Sequence, residues 1–291
     1  MASRLGSAIL LAAAGALLQG CWIVIDESFD GYEPKPETAP GEPIIVTEER
    51  AWDGPPRRTY TLVRPNPTPA DLQLVIELHG EAQSPTTIRN QLPIDAEAAG
   101  DAVFVYPQSA SADSFNTYAG RTAEAAFVQQ LIGQLSTELR IDTGRVFIAG
   151  FDDGAIMANA LACNLGASVV RGVGIDAGTF YPAGDRPDFM VNDTTGVADC
   201  TLPAALLVWG VADPVPSLSI ESGRDARNVY LATQGCDEAS ARPWTSDPAC
   251  SAYAGCREDV VWCEIPGLGH DVWPGAARAM WTFFDGLKER P

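Results

Sequence analysis

Arg145-Val146-Phe147-Ile148-Ala149-Gly150-Phe151-Asp152-Asp153-Gly154-Ala155-Ile156-Met157 is the stretch that decides the fold. Its first five residues, Arg145 followed by an apolar run, predict a strand. Gly150 and Gly154 bracket a sharp turn, and residues 155–163 read as a helix. Outward from this unit the same alternation recurs. Residues 59–63, 72–78 and 103–106 have strand composition, the last halted by Pro107. Residues 121–140 predict a helix, with Val128, Leu131, Ile132, Leu135 and Leu139 on one face. Residues 169–175, 205–209 and 260–265 predict further strands, and 276–287 a terminal helix. Strands alternating with helices imply an α/β fold, a mostly parallel sheet with helices on both faces.

In such sheets functional groups gather at the carboxyl ends of strands. Four segments lie there: His79-Gly80-Glu81, Gly150 to Gly154, Asp213 and His270. A strand–Gly-x-Nuc-x-Gly–helix turn is a nucleophile elbow, in which the glycines permit the sharp turn and close helix packing. Asp152 stands at the nucleophile position, and an acid and a histidine follow in chain order, Asp213 and His270. The backbone N–H groups of Glu81 and Asp153 are the candidate oxyanion hole. The simpler readings are that Asp152 and Asp213 are turn formers and His270 a loop histidine; His79 reads as structural. Glu81, Asp152 and Asp153 offer hard oxygen ligands for Ca²⁺, but their spacing does not demand an ion, and neither a metal nor a cofactor is expected.

The chain resembles secreted polyhydroxybutyrate depolymerase-like and feruloyl esterase-like α/β hydrolases from about Arg58 to Phe284. The likeness rests on Leu78-His79-Gly80, Val105-Tyr106-Pro107-Gln108, Ile141-Asp142-Thr143-Gly144-Arg145-Val146, the elbow, and Leu161-Ala162-Cys163. It continues through Gly210 to Pro216, Gly235-Cys236, Gly255-Cys256, and Gly269-His270 with Trp273-Pro274-Gly275. The resemblance implies an α/β-hydrolase-like fold, hydrolysis of small-molecule or polymeric esters, Asp213 as triad acid and His270 as base. The sequence departs from that pattern at Asp152, where the family has serine. Asp153 and Glu81 also set carboxylates beside both oxyanion-hole amides, and the loop after His270 is one residue longer.

A serine attacks an ester to give an acyl-enzyme that water cleaves. A carboxylate attacking the same carbonyl gives an anhydride, a costly intermediate. Three readings follow. The chain is an atypical carboxylic-ester hydrolase with an Asp-Asp-His constellation; or a catalytically degenerate relative that acts as a surface binding protein; or an enzyme whose Asp152 displaces at saturated carbon, as in haloalkane dehalogenase-like and epoxide hydrolase-like proteins.

The charge balance is 19 Lys+Arg against 38 Asp+Glu, net −19. Such a surface repels nucleic acid and anionic headgroups, so nucleic-acid binding is set aside. Arg4, an uncharged run over residues 5–25, and Leu18-Gln19-Gly20-Cys21 resemble a bacterial lipoprotein signal. The expected organisation is a signal peptide over residues 1–20, a lipidated Pro- and Glu-rich tether over 21–57, and an α/β-hydrolase-like domain over 58–291. Lipid on Cys21 would hold an exported protein to the cell envelope, at the outer membrane or cell surface. An uncleaved membrane anchor is the alternative. Of seven cysteines, Cys21 set apart leaves Cys163, Cys200, Cys236, Cys250, Cys256 and Cys263, an even set that reads as disulfides in an exported chain.

Overall fold

The computed structural model describes residues 43–55, 57–110, 114–115, 121–180, 198 and 200–287. The proposed signal segment and lipidation site lie outside them. The chain runs β1 (Ile44–Trp52), β2 (Arg58–Asn66), β3 (Gln73–Leu78), α1 (Pro85–Gln91), α2 (Ile94–Ala98) and β4 (Ala102–Pro107). It continues through α3 (Arg121–Leu139), β5 (Val146–Phe151), α4 (Asp153–Leu165), β6 (Gly172–Asp176) and β7 (Ala204–Gly210). Then come α5 (Ile220–Gln234), β8 (Asp237–Pro243), β9 (Cys250–Ala254), β10 (Val260–Ile265) and α6 (Ala276–Gly286).

All ten strands form one sheet in the order β1-β2-β4-β3-β5-β6-β7-β10-β9-β8. The six from β4 to β10 in that order pair in parallel. β1 and β2 add antiparallel strands at one edge, β9 and β8 at the other. The central strands β3 to β7 are buried at every position, so they read as largely apolar runs, interrupted by Gln73 and Glu77 in β3 and Asp176 in β6. Alternate residues of β3 point opposite ways: Leu74, Ile76 and Leu78 join α3, α4 and α5, whereas Val75 joins α1, α2 and α6. β3 leads on to β4 through α1 and α2, and β5 to β6 through α4. Two neighbouring strands thus hand their chains to opposite faces and open a crevice between their carboxyl ends. Strand order and layering are those of an α/β hydrolase.

The structure adds strands that composition does not announce. Residues 44–52, read above within the tether, pair with the whole of β2, from Ile44 opposite Asn66 to Trp52 opposite Arg58. As an edge strand β1 buries none of its residues fully, and so carries Glu48, Glu49 and Arg50 where a central strand carries valine. β8 is exposed at nearly every position and likewise looks like a loop in sequence. Disulfides hold this edge: Cys236–Cys256 ties the start of β8 to the residues after β9, and Cys250–Cys263 joins β9 to β10. Cys163–Cys200 anchors the end of α4. The six cysteines are therefore paired.

Candidate active site

β5 delivers Asp152 into a turn at φ 55°, ψ −124°, a backbone state that side-chain-bearing residues rarely adopt. The glycines make it feasible. A Cβ on Gly154 would lie 2.1 Å from the Leu78 carbonyl oxygen, and one on Gly150 would lie 2.5 Å from the Gly154 backbone. The start of α4 can therefore press against β3 only with glycine there. This is the geometry of a nucleophile elbow, with a carboxylate in place of a hydroxyl.

His270 rides on the loop between β10 and α6. Its ring packs on Phe151 with centroids 5.0 Å apart. Nδ1 lies 2.8 Å from Asp213 Oδ2, and Nε2 lies 3.4 Å from Asp152 Oδ1. The other oxygen of Asp213 accepts the Val215 N–H at 2.9 Å, and the Asp213 side chain is fully buried. The structure thus brings Asp152, His270 and Asp213 into one line.

The second Asp152 oxygen decides the chemistry. Oδ2 accepts the Glu81 N–H at 2.9 Å, and the neighbouring Asp153 N–H favours the charged carboxylate. The Glu81 donor expected in an oxyanion hole is therefore taken up by Asp152 itself. Burial disfavours its charge, yet the His270 contact and the two N–H donors outweigh burial and hold the carboxyl below its ordinary range. His270 moves the other way. The Asp152 contact, opposed by burial and aided by Asp213, raises it to about 9, so at neutral pH it is an imidazolium between two carboxylates.

The remaining expected residues take supporting places. His79 is fully buried, and burial lowers its pKa despite the bond to Gly80. As a neutral ring, Nδ1–H donates to the Gly80 carbonyl at 2.9 Å and Nε2 accepts the Ser109 N–H at 3.2 Å. It is structural, and it steadies the strand end that presents Glu81. The Gly80 N–H donates to Gln83, which braces the same turn. Asp153 turns its carboxylate toward the Ser114 hydroxyl and so away from the Asp152 line. A cleft of about 340 Å³ opens beside Asp152, bounded by Glu81, Asp153, Ser114, Thr179 and Ser217. Among the described residues no group of three or more His, Cys, Asp or Glu is arranged to hold a metal ion.

Sequence reading missed Asp176. It ends β6, between the strands that carry Asp152 and Asp213, and is 1% exposed. Burial pushes its carboxyl well above the ordinary range. Its one signal in the sequence is an acid closing an apolar run at a strand end, the position that Asp152 and Asp213 share.

The fold and this line of residues define a protein of the α/β-hydrolase class. No protein-family model matches the chain. Among curated proteins, feruloyl esterase C of Emericella nidulans is 28% identical over 201 residues, 66% of this chain and 67% of its own. A probable feruloyl esterase C of Aspergillus niger is 26% identical over 245 residues, 78% of this chain and 83% of its own. Among solved structures, an acetyl xylan esterase from Aspergillus awamori superposes with TM-score 0.65 at 14% identity, covering 83% of this chain and 99% of that one. An S-formylglutathione hydrolase from Staphylococcus aureus gives 0.57 at 15%, covering 85% and 99%. The sequence likeness is to feruloyl esterases at 26–28% identity, and the structural likeness shows the α/β-hydrolase fold.

Proposed function

We propose that this chain is a carboxylic-ester hydrolase scaffold silenced at Asp152 and retained as a ligand-binding protein of the cell envelope. One observation carries the reading: the Asp152 carboxylate fills the oxyanion hole through the Glu81 N–H. An ester carbonyl entering the cleft would have to displace an anion already held by the Glu81 amide and an imidazolium. A displaced carboxylate would then oppose the negative charge that develops on the carbonyl oxygen. His270, pinned as imidazolium, cannot take a proton from water until it loses its own. Feruloyl esterases among the relatives suggest feruloyl esters as the ligands to try. Three disulfides support an oxidising compartment outside the cytoplasm. Lipid on Cys21 would supply the anchor.

Hydrolysis of short chromogenic esters by the wild type and by Asp152→Ser tests this. Expected is background turnover for the wild type and a gain of about a hundredfold or more for the serine variant, which frees the Glu81 amide and restores a hydroxyl nucleophile. A wild type that hydrolyses esters, with no gain from serine, sinks the proposal and moves the chemistry to another residue.

One observation favours a second reading. Asp152 Oδ1 faces His270 while the Glu81 amide holds Oδ2. In a displacement at saturated carbon, Oδ1 would bond the carbon and the leaving group would depart with its electron pair. The resulting alkyl ester is neutral, which removes the first cause of the raised His270 pKa and frees the ring as base. Water, deprotonated by Nε2, would attack the Asp152 ester carbonyl and release the alcohol, with Oδ2 at the Glu81 amide. Glu81 and Asp153 count against this reading, since both repel a departing anion. Mass spectrometry of His270→Gln after exposure to an alkyl halide or epoxide decides: an alkyl ester accumulating on Asp152 establishes displacement, and an unmodified chain leaves the binding reading.

A further inference from the structure

Asp176 is a costly residue where it stands. A carboxyl buried to 1% exposure disfavours folding unless its polar atoms are satisfied, and Oδ1 has no hydrogen-bond partner. Its neighbours along β6, Val173 and Ile175, pack into the core as expected of a central strand. What Asp176 touches accounts for its presence. Its backbone carbonyl accepts the Asp152 N–H at 3.0 Å, and so grips the elbow. Its Oδ2 accepts the Trp273 N–H at 3.4 Å, three residues past His270 on the same loop. Among the described residues, no hydrogen bond from the intervening Asp271 or Val272 N–H is seen. Asp213 holds the imidazole ring, but among the described strand-end acids Asp176 holds that loop's backbone while also holding the elbow.

The groups it joins come from distant parts of the chain, and the 3.4 Å between Asp152 Oδ1 and His270 Nε2 depends on both loops at once. We propose that Asp176 is a positioning residue: its carbonyl fixes the Asp152 turn and its side chain fixes the His270 loop, so that one residue sets the Asp152–His270 spacing. The role belongs to the geometry of the site and holds whether the site binds or turns over its ligand. Only the kinetic arm of the test rests on the esterase-scaffold reading.

The test is an NMR titration of the imidazoles in the full chain, which holds two histidines. The expected wild-type His270 midpoint is raised to about 9. Asp176→Ala removes the acceptor for Trp273; the loop shifts, the Asp152 contact opens, and the His270 midpoint falls by about a unit or more toward its ordinary value. Asp176→Asn keeps an oxygen for the Trp273 N–H and leaves the midpoint where it was. Unchanged titration in a folded Asp176→Ala overturns the proposal. Equal shifts in both variants also overturn it, because they would show a through-space charge effect. If Asp176→Ala does not fold, amide exchange in the wild type still decides. The Trp273 N–H must exchange more slowly than those of Asp271 and Val272, and equal rates refute the latch. In an Asp152→Ser background, Asp176→Ala should lower kcat about tenfold or more with KM little changed, and Asp176→Asn should recover it. If Asp152→Ser gains no turnover, the esterase reading fails by itself while the titration and exchange arms still judge Asp176.

Discussion

Asp152 shows how far one residue can redirect a site without disturbing its frame. Gly150, Gly154, Asp213 and His270 keep the arrangement an acyl-transfer enzyme would use, and Asp152 accepts the strained φ of 55° that the elbow imposes. The extra carboxyl oxygen is what changes the chemistry, because it reaches the Glu81 N–H that a serine would leave open. The same contacts predict how stability responds to pH. His270 is raised from 6.5 to about 9 in the folded chain. Its protonated form therefore stabilises the fold fully below about pH 6.5, and that contribution is lost as pH rises through about 9. One unit is about 1.4 kcal/mol, so the loss is about 3 kcal/mol. Asp152 is lowered, and its contribution is present above the ordinary carboxylate range and lost as pH falls through its folded value. Denaturant unfolding between pH 6 and 10 should show the His270 loss in the wild type and not in His270→Gln. A flat profile in the wild type would mean that the imidazolium clamp does not form.

Elements differ in how openly the sequence declares them. The central strands are legible because burial on both faces strongly favours apolar residues, as in Val146-Phe147-Ile148-Ala149. The α3 helix was legible because Leu131 and Leu135 repeat at its turn spacing. The edges were not. β1 and β8 face water, and a sheet edge tolerates the charged residues and proline that mark loops elsewhere. Site residues at strand ends could be named from order alone, whereas the filled oxyanion hole could not, since it joins a backbone amide and a side chain far apart in sequence. The β8–β9 edge draws its order from the cross-links more than from burial. Replacing Cys250 and Cys263 together by alanine should therefore cost about 2–4 kcal/mol. Amide exchange should quicken in β8 and β9 and stay slow in β5 and β6. Uniform quickening across the sheet would show that this disulfide supports the whole fold instead of its edge.

At the scale of the whole molecule, two electrostatic regimes meet. The chain carries a net −19 with a sequence pI near 4.3, and among the described residues few charged side chains are buried. Like charges spread over a surface repel at distances beyond a hydrogen bond, and self-repulsion works against the compact state. Salt acts on those long distances first. The screening length falls to about 8 Å at physiological ionic strength, shorter than most separations across a domain surface. Surface ion pairs such as Arg227–Glu238 at 3.8 Å lose strength as well, but exposed pairs contribute little to begin with. The repulsion term should win, and the midpoint of thermal unfolding should rise by a few degrees between about 10 and 150 mM sodium chloride. The Asp213–His270–Asp152 line answers to different physics. Its charges touch at 2.8 and 3.4 Å and are partly or wholly buried, within a distance that mobile ions do not enter. The His270 midpoint should therefore stay within about half a unit over the same salt range while the unfolding temperature climbs. Calorimetry and the imidazole titration, run on the same samples, separate the two. A falling unfolding temperature would place the stabilising charge in the surface pairs. A His270 midpoint sliding toward 6.5 would instead mean that solvent reaches the clamp, and that the oxyanion hole is open to a ligand more often than its hydrogen bonds imply.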